Sequence, residues 1–433
     1  MKQISIIADD LTGASDSGVQ FARNGLKTQV LFDWSAIPDD HSELDVIVID
    51  TDSRSIPGEL AYKRAASAAA ALKDKGFSFI YKKMDSTLRG NLGQEIRGVM
   101  DSFGFAAAFI APAFPRIGRT TVGGVHYLNG TPIHETEMAR DPKTPVPDSR
   151  VAYVLQEQSG LASVNVELAL LRKGPEAVRQ FIEEQLRHTV KLFVFDAETD
   201  EDLAIIAALM PVFQSGVLWG GSAGLAEFLI TPDPTRSAER YEKQSAEGAV
   251  ILVAGSISAI TREQVAEVNR QANVAALEMD PLAAIGPVEE REREIARCAA
   301  ELQLAIATGK DISLHAGSSP EQVRAAKEKG AALGLDSSDV SNRIADTLGQ
   351  ITSQVAASSS VQGLVLTGGD TAKAVCRYLG VSGFELHHEV EPGIPYGTLV
   401  GGSRLPAITK AGAFGRKGSL WHAMQHIREG RGE

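Results

Sequence analysis

The chain has 433 residues, 43% of them hydrophobic, with 43 Lys and Arg against 55 Asp and Glu for a formal charge of -12; this length predicts two or three domains, and an acidic balance without a basic run excludes a nucleic-acid or anionic-lipid footprint. Its two cysteines, Cys298 and Cys376, lack metal-ligand spacing, which argues against a disulfide scaffold or a zinc site and for the reducing cytoplasm. Met1-Lys2-Gln3 leads directly into a strand-like run, and no stretch of about twenty apolar residues follows anywhere, so a soluble chain with no membrane partner is expected.

Apolar runs of strand length recur from the N-terminus: Ile4 to Ala8, Thr28 to Phe32, Val46 to Ile49, Phe79 to Lys82, Ala106 to Ala111 and Leu192 to Phe195. Helical segments separate them, among them the Ala-rich Glu59 to Leu72, ended by Gly76, and Thr199 to Met210, where Thr199 and Asp202 resemble a capping arrangement. Such alternation predicts α/β architecture with a largely parallel sheet. Pro112 to Pro147, rich in Pro, Gly, Asn and Thr and without periodicity, is long for a connection and reads as a functional excursion. Thr231 to Thr235 and the charged stretch Arg236 to Gly248 read as a linker, giving domains at 1–230 and 249–433 around a 231–248 connection. Beyond it come a strand at Val250 to Ala254, a helix whose Thr261 and Gln264 fit a capping box, and strands near Ala275 to Leu277 and Ile312 to His315. Val340, Ile344, Leu348, Ile351 and Val355 mark a buried helix face.

Chemistry gathers where the strands end. The first strand runs into Asp9-Asp10-Leu11-Thr12-Gly13, and loops beyond the carboxyl ends of parallel strands form the ligand crevice of such folds. Adjacent side chains there point oppositely, so one acid of the pair faces the site and the other anchors the turn; taken alone, both also suit turn and N-cap duty. Thr51-Asp52-Ser53-Arg54 and Lys82-Lys83-Met84-Asp85-Ser86-Thr87-Leu88-Arg89-Gly90-Asn91 leave two further strands. Their mixture of cations, acids and hydroxyls suits a small polyhydroxy anion, with Lys or Arg on a carboxylate and Asp or Ser on hydroxyls. His126, His134 and Glu135 have no metal-ligand spacing, and closure over a substrate is the better use of that excursion.

The C-terminal half repeats a different motif. Val365 to Thr371 reads as strand, Gly368-Gly369 turn and a helix whose Ala372, Val375, Cys376 and Leu379 form its apolar face, which makes Cys376 a core residue. Gly255-Ser256-Ile257-Ser258 and Lys410-Ala411-Gly412-Ala413-Phe414-Gly415 are two more strand exits of the same kind. Glycines let backbone approach phosphate, and a helix N-terminus supplies free N–H groups, so a nucleotide fits. Neither G-x-x-x-x-G-K-[ST] nor G-x-G-x-x-G occurs, which excludes a P-loop and counts against a Rossmann dinucleotide site.

Together, Ala8 to Ala14, Lys83 to Asn91, Gly255-Ser256, Leu366 to Thr371 and Lys410 to Gly415 resemble signature segments of the four-carbon acid sugar kinase family, along nearly the whole chain. The resemblance implies ATP-dependent phosphorylation of the terminal hydroxyl of a sugar acid, D-threonate first and D-erythronate or a 3-oxo-tetronate next, with Mg²⁺ as companion. It implies an N-terminal acid-sugar domain and a C-terminal ATP domain meeting at an interdomain cleft. By motif position, Asp10, Arg54, Lys82, Lys83, Met84, Asp85, Ser86 and Arg89 would hold the substrate, with Asp10 or Asp85 as the catalytic acid-base group. Ser256, Gly368, Gly369, Asp370, Thr371, Gly412, Ala413, Phe414 and Gly415 would hold ATP; the Mg²⁺ ligands and the oligomeric state stay open. Asp10 is the acid expected at the hydroxyls and Asp9 the one left to the turn. Readings from other classes are a non-catalytic sugar-acid binding protein and an NAD-dependent sugar-acid dehydrogenase.

Overall fold

A computed structural model describes residues 3–141, 143–213, 216–229, 247–402, 404–412 and 414–430, which form two compact units on either side of 230–246. All but the last two residues of the expected linker lie outside the described residues.

In the N-terminal unit the chain runs β1 (Ile4–Ala8), α1 (Leu11–Arg23), β2 (Thr28–Leu31), β3 (Val46–Asp50), α2 (Gly58–Asp74), β4 (Ile80–Lys83), α3 (Leu92–Phe103) and β5 (Ala107–Ala111). An excursion of short strands β6 (Arg119–Val122), β7 (Val125–Leu128) and β8 (Thr131–Pro132) follows, then α4 (Val151–Ser159), β9 (Ser163–Val166), α5 (Leu168–Leu171), α6 (Pro175–Arg187), β10 (Leu192–Phe195), α7 (Asp200–Ala207), β11 (Val217–Gly221) and α8 (Ala223–Ala226). The main sheet has the order β2-β3-β1-β4-β11-β5-β10-β9 and is parallel throughout. Covered on both faces, β1, β3 and β5 read as nearly continuous apolar runs, which is why they were legible. Ile7, Ile47 and Ile49 pack with Ala65, Ala68, Ala69 and Leu72 of α2 and with Ile96 and Val99 of α3. The alanines let the helices approach so closely that a Cβ on Gly98 would lie 2.4 Å from the Tyr62 carbonyl oxygen.

Two strands of this sheet escaped the sequence reading. β9 is an edge strand of alternating polarity, and β11 ends in Gly220-Gly221, which reads as a turn. β11 nevertheless lies between β4 and β5, where a Cβ on Gly221 would sit 2.2 Å from the Ala111 carbonyl oxygen and 2.8 Å from the Tyr81 hydroxyl. Glycine is what allows a strand there.

The excursion is structured. β6, β7 and β8 form an antiparallel sheet, and Thr121 pairs by backbone with Ala197. His126, fully buried, joins this sheet to the turn after β4: its Nε2 lies 2.9 Å from the Ser86 carbonyl oxygen and its Nδ1 2.9 Å from the Thr121 hydroxyl. A carbonyl only accepts, so Nε2 carries the proton and Nδ1 accepts from Thr121. Burial pushes the imidazole down to about 4.

The C-terminal unit contains β12 (Ala249–Ala254), α9 (Ala259–Val268), β13 (Val274–Met279), α10 (Pro281–Ile285), α11 (Val288–Ala307), β14 (Asp311–Ala316), α12 (Pro320–Ala332), α13 (Ser337–Ser358), β15 (Val361–Thr367), α14 (Gly369–Tyr378), β16 (Gly383–Glu391), β17 (Ile394–Val400), β18 (Pro406–Lys410) and α15 (Ser419–Glu429). Its strand order is β13-β14-β12-β15-β18-β17-β16. The first five are parallel, whereas β17 runs antiparallel to both neighbours, a hairpin not anticipated from sequence. The expected helix face is buried at Val340, Leu348, Ile351 and Val355 of α13. The capping box does not form as read: α9 begins three residues earlier, with Ser258 as N-cap accepting from the Thr261 N–H. Thr261 and Gln264 instead hold the 412–416 turn, donating to the carbonyl oxygens of Gly412 (2.8 Å) and of Phe414 and Arg416 (3.1 and 2.9 Å).

Gly221→Ala is expected to lower the unfolding free energy by about 1–3 kcal/mol through overpacking of the central strands; an unchanged midpoint in urea would contradict that. The buried neutral His126 makes stability full above pH 6.5 and falling as pH drops toward about 4, because the unfolded chain takes up the proton first. Between pH 7 and pH 4.5, His126→Gln should therefore lose about 2–3 kcal/mol less unfolding free energy than wild type. Equal losses would remove His126 from the acid response.

Candidate active site

The register of the N-terminal sheet brings its functional turns to one level. Ala8 lies opposite Asp50 of β3 and Lys83 of β4, so Asp9, Thr51 and Met84 leave three adjacent strands side by side. The chain turns one way from β1 toward β3 and the other way toward β4, which makes this the switch point where open α/β sheets leave a crevice. The turns are sewn together: the Thr51 hydroxyl donates to the Ala8 carbonyl oxygen (2.8 Å), the Ser53 N–H to that of Asp9 (2.9 Å), and the Asn91 amide to those of Ser53 and Ile56 (2.8 Å each).

At the centre stands Arg54. Its Nε and Nη2 reach both carboxylate oxygens of Asp9 (2.6 and 3.1 Å), its Nη1 and Nη2 both of Asp10 (2.7 and 2.6 Å), and Nη2 lies 3.7 Å from Asp85. The guanidinium expected on a substrate carboxylate is thus held by three acids of the protein. Asp10 is also the N-cap of α1, accepting from the Gly13 N–H at 2.9 Å, so it keeps the local duty first weighed for it. Asp9, the acid left to the turn, is 1% exposed and its carbonyl oxygen accepts from the Ser53 and Arg54 N–H groups; although burial alone would raise its carboxyl, Arg54, Lys82 and Lys83 hold it below the ordinary range.

Asp85 binds Arg89 through both oxygens, Nε at 2.8 Å and Nη2 at 3.2 Å, and accepts from the Arg89 N–H and the Thr87 hydroxyl. Burial would raise this carboxyl too, but Arg54 and Arg89 drive it far below the carboxylate range. Left-handed backbone at Leu88 (φ 60°) and Gly90 (φ 97°) folds the turn back on itself, and a Cβ at Gly90 would meet Arg54 Cγ at 3.0 Å. Lys82 is buried beside the turn, its Nζ 2.8 Å from Glu95 of α3 and donating to the Lys83 carbonyl oxygen at 2.7 Å. Burial and nearby Asp9 push Glu95 up against the pull of Lys82. Sequence reasoning missed Glu95; its place within the buried stripe Leu92, Ile96 and Val99 was the available signal. Lys83 Nζ donates to the Met84 carbonyl oxygen (2.9 Å) and lies 2.8 Å from where a Gly13 Cβ would be, beside the start of α1. Met84 belongs to the core and meets the turn only through its backbone, while Ser86 accepts from His126. Arg119, also missed, opens β6 close enough for its charge to couple with Asp85, Arg89 and Asp16.

In the C-terminal unit, Gly255-Ser256, Gly368 to Thr371 and the turn after Lys410 leave β12, β15 and β18, again adjacent parallel strands. A Cβ at Gly255 would lie 2.3 Å from the Thr371 hydroxyl and one at Gly412 2.4 Å from the Ser256 hydroxyl. Gly368 (φ 98°) presents the N-terminus of α14, with open space around Gly369. Lys410, quoted as part of the motif but not singled out, donates to the carbonyl oxygens of Ala411 (2.7 Å), Gly412 (3.3 Å) and Phe414 (3.1 Å); burial lowers it to about 8. Gly415 (φ 80°) closes the turn against Ser419, and Phe414 lies over Gly393. Asp370 is exposed in the first turn of α14, and Ala413 lies outside the described residues. Bare backbone where side chains cannot fit suits a phosphate chain, so the residues fit a nucleotide. No group of three or more His, Cys, Asp or Glu residues able to hold a metal occurs among the described residues, and none of their helices is long and apolar enough to cross a membrane.

Comparison with known proteins agrees with this division. Residues 4–229 match the family model described as a sugar-binding N-terminal domain, and residues 251–420 that of a nucleotide-binding C-terminal domain. A D-erythronate kinase of Heliobacterium modesticaldum is 35% identical over 99% of this chain and 97% of its own, and a D-threonate kinase of Salmonella typhimurium 34% over 99% of each. A 3-oxo-tetronate kinase of Pseudomonas fluorescens is 29% identical over 99% of this chain and 98% of its own. Among solved structures, a Salmonella typhimurium protein described as a tRNA synthase superposes with TM-score 0.79 at 23% identity, covering 98% of this chain and 99% of its own; at that identity the likeness shows the fold alone. With both domain models matched in order along its length, the chain belongs to the four-carbon acid sugar kinase family.

Proposed function

We propose that the protein phosphorylates the terminal hydroxyl of a four-carbon sugar acid with ATP, D-threonate being the first candidate and D-erythronate or a 3-oxo-tetronate the next. The observation that carries this reading is the convergence of Asp9, Asp10 and Asp85 on Arg54 where β1, β3 and β4 end. Under it, 1–230 is the acid-sugar domain, 231–248 the linker and 249–433 the nucleotide domain.

Phosphoryl transfer asks mainly for positioning and charge neutralisation. Asp10 is the better candidate to orient the hydroxyl and take its proton: its side chain is 24% exposed, against 1% for Asp9 and 10% for Asp85. Asp85 is committed to Arg89 and Thr87, so its part is to fix the turn that presents Lys83, Ser86 and Arg89 to the sugar acid. Arg54 keeps Asp9 ionised and holds both Asp9 and Asp10 in place. The hydroxyl proton passes to Asp10 Oδ, the substrate oxygen bonds the γ-phosphorus, and the bond from that phosphorus to the β-phosphate oxygen breaks to give ADP. Backbone N–H groups from Gly369 to Thr371, with Gly412, Gly415 and Ser256, hold the phosphates, while the Gly368 N–H ties the turn to the Lys410 carbonyl oxygen at 3.0 Å. Mg²⁺ would supply charge neutralisation at the phosphates, and Asp370 in the first turn of α14 would be the residue to hold it.

A coupled ADP assay over a panel of four-carbon sugar acids tests this reading; no ADP with any of them would contradict it, and NAD reduction instead would favour the dehydrogenase. Asp10→Asn should lower kcat by about 100-fold or more while changing the KM for ATP little. Asp85→Asn should also lower kcat, together with affinity for the sugar acid. Wild-type turnover in both variants would remove the acid-base assignment. Gly368→Ala, which puts a Cβ where left-handed backbone meets phosphate, should raise the KM for ATP by roughly tenfold and leave that for the sugar acid unchanged; the reverse pattern would contradict the division of sites.

A further inference from the structure

A sugar acid brings a carboxylate, and most cations at the N-terminal site already have partners. Arg54 is spanned by Asp9 and Asp10, Arg89 by Asp85, and Lys82 stands against Glu95. Two cations there have no carboxylate partner among the described residues: Lys83, whose Nζ bonds the Met84 carbonyl oxygen, and Arg119, the only one of the two with a two-nitrogen edge. The one described side-chain hydrogen bond of Arg119 runs from Nη1 to the Ile117 carbonyl oxygen at 3.1 Å, and its Nε is buried without an acceptor among the described residues. The edge formed by Nε and Nη2 is the one that receives a carboxylate side-on through two parallel N–H···O bonds.

Its direction follows from strand geometry. Arg119 and Thr121 are two apart on β6 and share a face. Thr121 on that face contacts His126, and His126 contacts Ser86 in the turn that carries Asp85 and Arg89. Backbone pairing of Arg119 with Leu128 and Phe114, and of Thr121 with Ala197, holds the strand. Burial and the neighbouring Arg89 press on the charge of Arg119 while Asp85 and Asp16 offset only part of that pressure. An anion there would relieve it.

Resting on the acid-sugar reading above, we infer that Arg119 is the specificity-determining residue that receives the substrate carboxylate, leaving Arg54 to hold the acids that meet the hydroxyls. The excursion is then the element that selects sugar acids over uncharged sugars.

Calorimetric titration of the nucleotide-free, full-length protein tests this, because without ATP no role at the transferred phosphoryl group contributes. The probes are the sugar acid that turns over best in the ADP assay and its uncharged amide. Arg119→Met should bind the acid roughly tenfold to hundredfold more weakly than wild type, with amide affinity unchanged, and Arg119→Lys should fall between. Thermal unfolding of each variant checks the fold, and if Arg119→Met does not fold, Arg119→Lys and Arg119→Gln are read the same way. Undiminished acid affinity, or equal losses for acid and amide, would overturn the assignment. If the wild type binds no four-carbon acid and the ADP assay is negative as well, the acid-sugar reading itself falls; turnover with loss confined to the amide probe would overturn only the role of Arg119.

Discussion

The N-terminal site depends on a single guanidinium. Arg54 leaves the end of β3, yet its two flat edges are occupied by Asp9 and Asp10 from the end of β1, and Asp85 from beyond β4 lies within reach. Three carboxylates brought together by the register of a parallel sheet would repel one another. A buried, permanently charged fork removes that cost and fixes their orientation at once. Lysine at this position would supply the charge without the second edge. The surrounding glycine and left-handed positions make sense in the same terms, since the 85–90 turn must pass close against Arg54 to deliver Asp85 and Arg89.

The two units share one device. Each places its functional turns on adjacent parallel strands around a point where the strand order reverses. On the proposed reading, the turns of the first unit carry side chains because a sugar acid is recognised through hydroxyls and a charge, and those of the second carry glycine because a phosphate chain is held by backbone N–H groups and a helix terminus. Side chains in the second unit act behind the backbone: Ser258, Thr261, Gln264 and Lys410 all bond carbonyl oxygens of the turn after β18, turning them inward.

Much of this was legible in the sequence, and the exceptions have physical causes. Strands buried on both faces announced themselves as apolar runs, and three polar strand exits were recognised as one site because parallel strands end together. β11 was not recognised, since the glycines that let it fit between β4 and β5 are the residues that suggest a turn. Thr261 and Gln264 have the spacing of a cap, and only the distant turn they support explains them. Glu95 and Arg119 were missed for a shared reason: each matters through a residue far away in sequence, Lys82 for one and Asp85 for the other, and neither carries a local motif. The opening acid pair was read in outline, but the division of labour is subtler than a turn acid and a site acid. Asp10 caps a helix, holds Arg54 and is the most exposed of the three acids, all with one carboxylate.

The central claim is that the protein delivers a phosphoryl group to a sugar-acid hydroxyl rather than to water. Phosphorus NMR of a completed reaction with ATP and the preferred four-carbon acid tests it directly. The account predicts a phosphomonoester signal split by the two methylene protons of the terminal carbon, appearing in step with ADP. Inorganic phosphate as the only new signal, or an ester on an internal carbon, would contradict it.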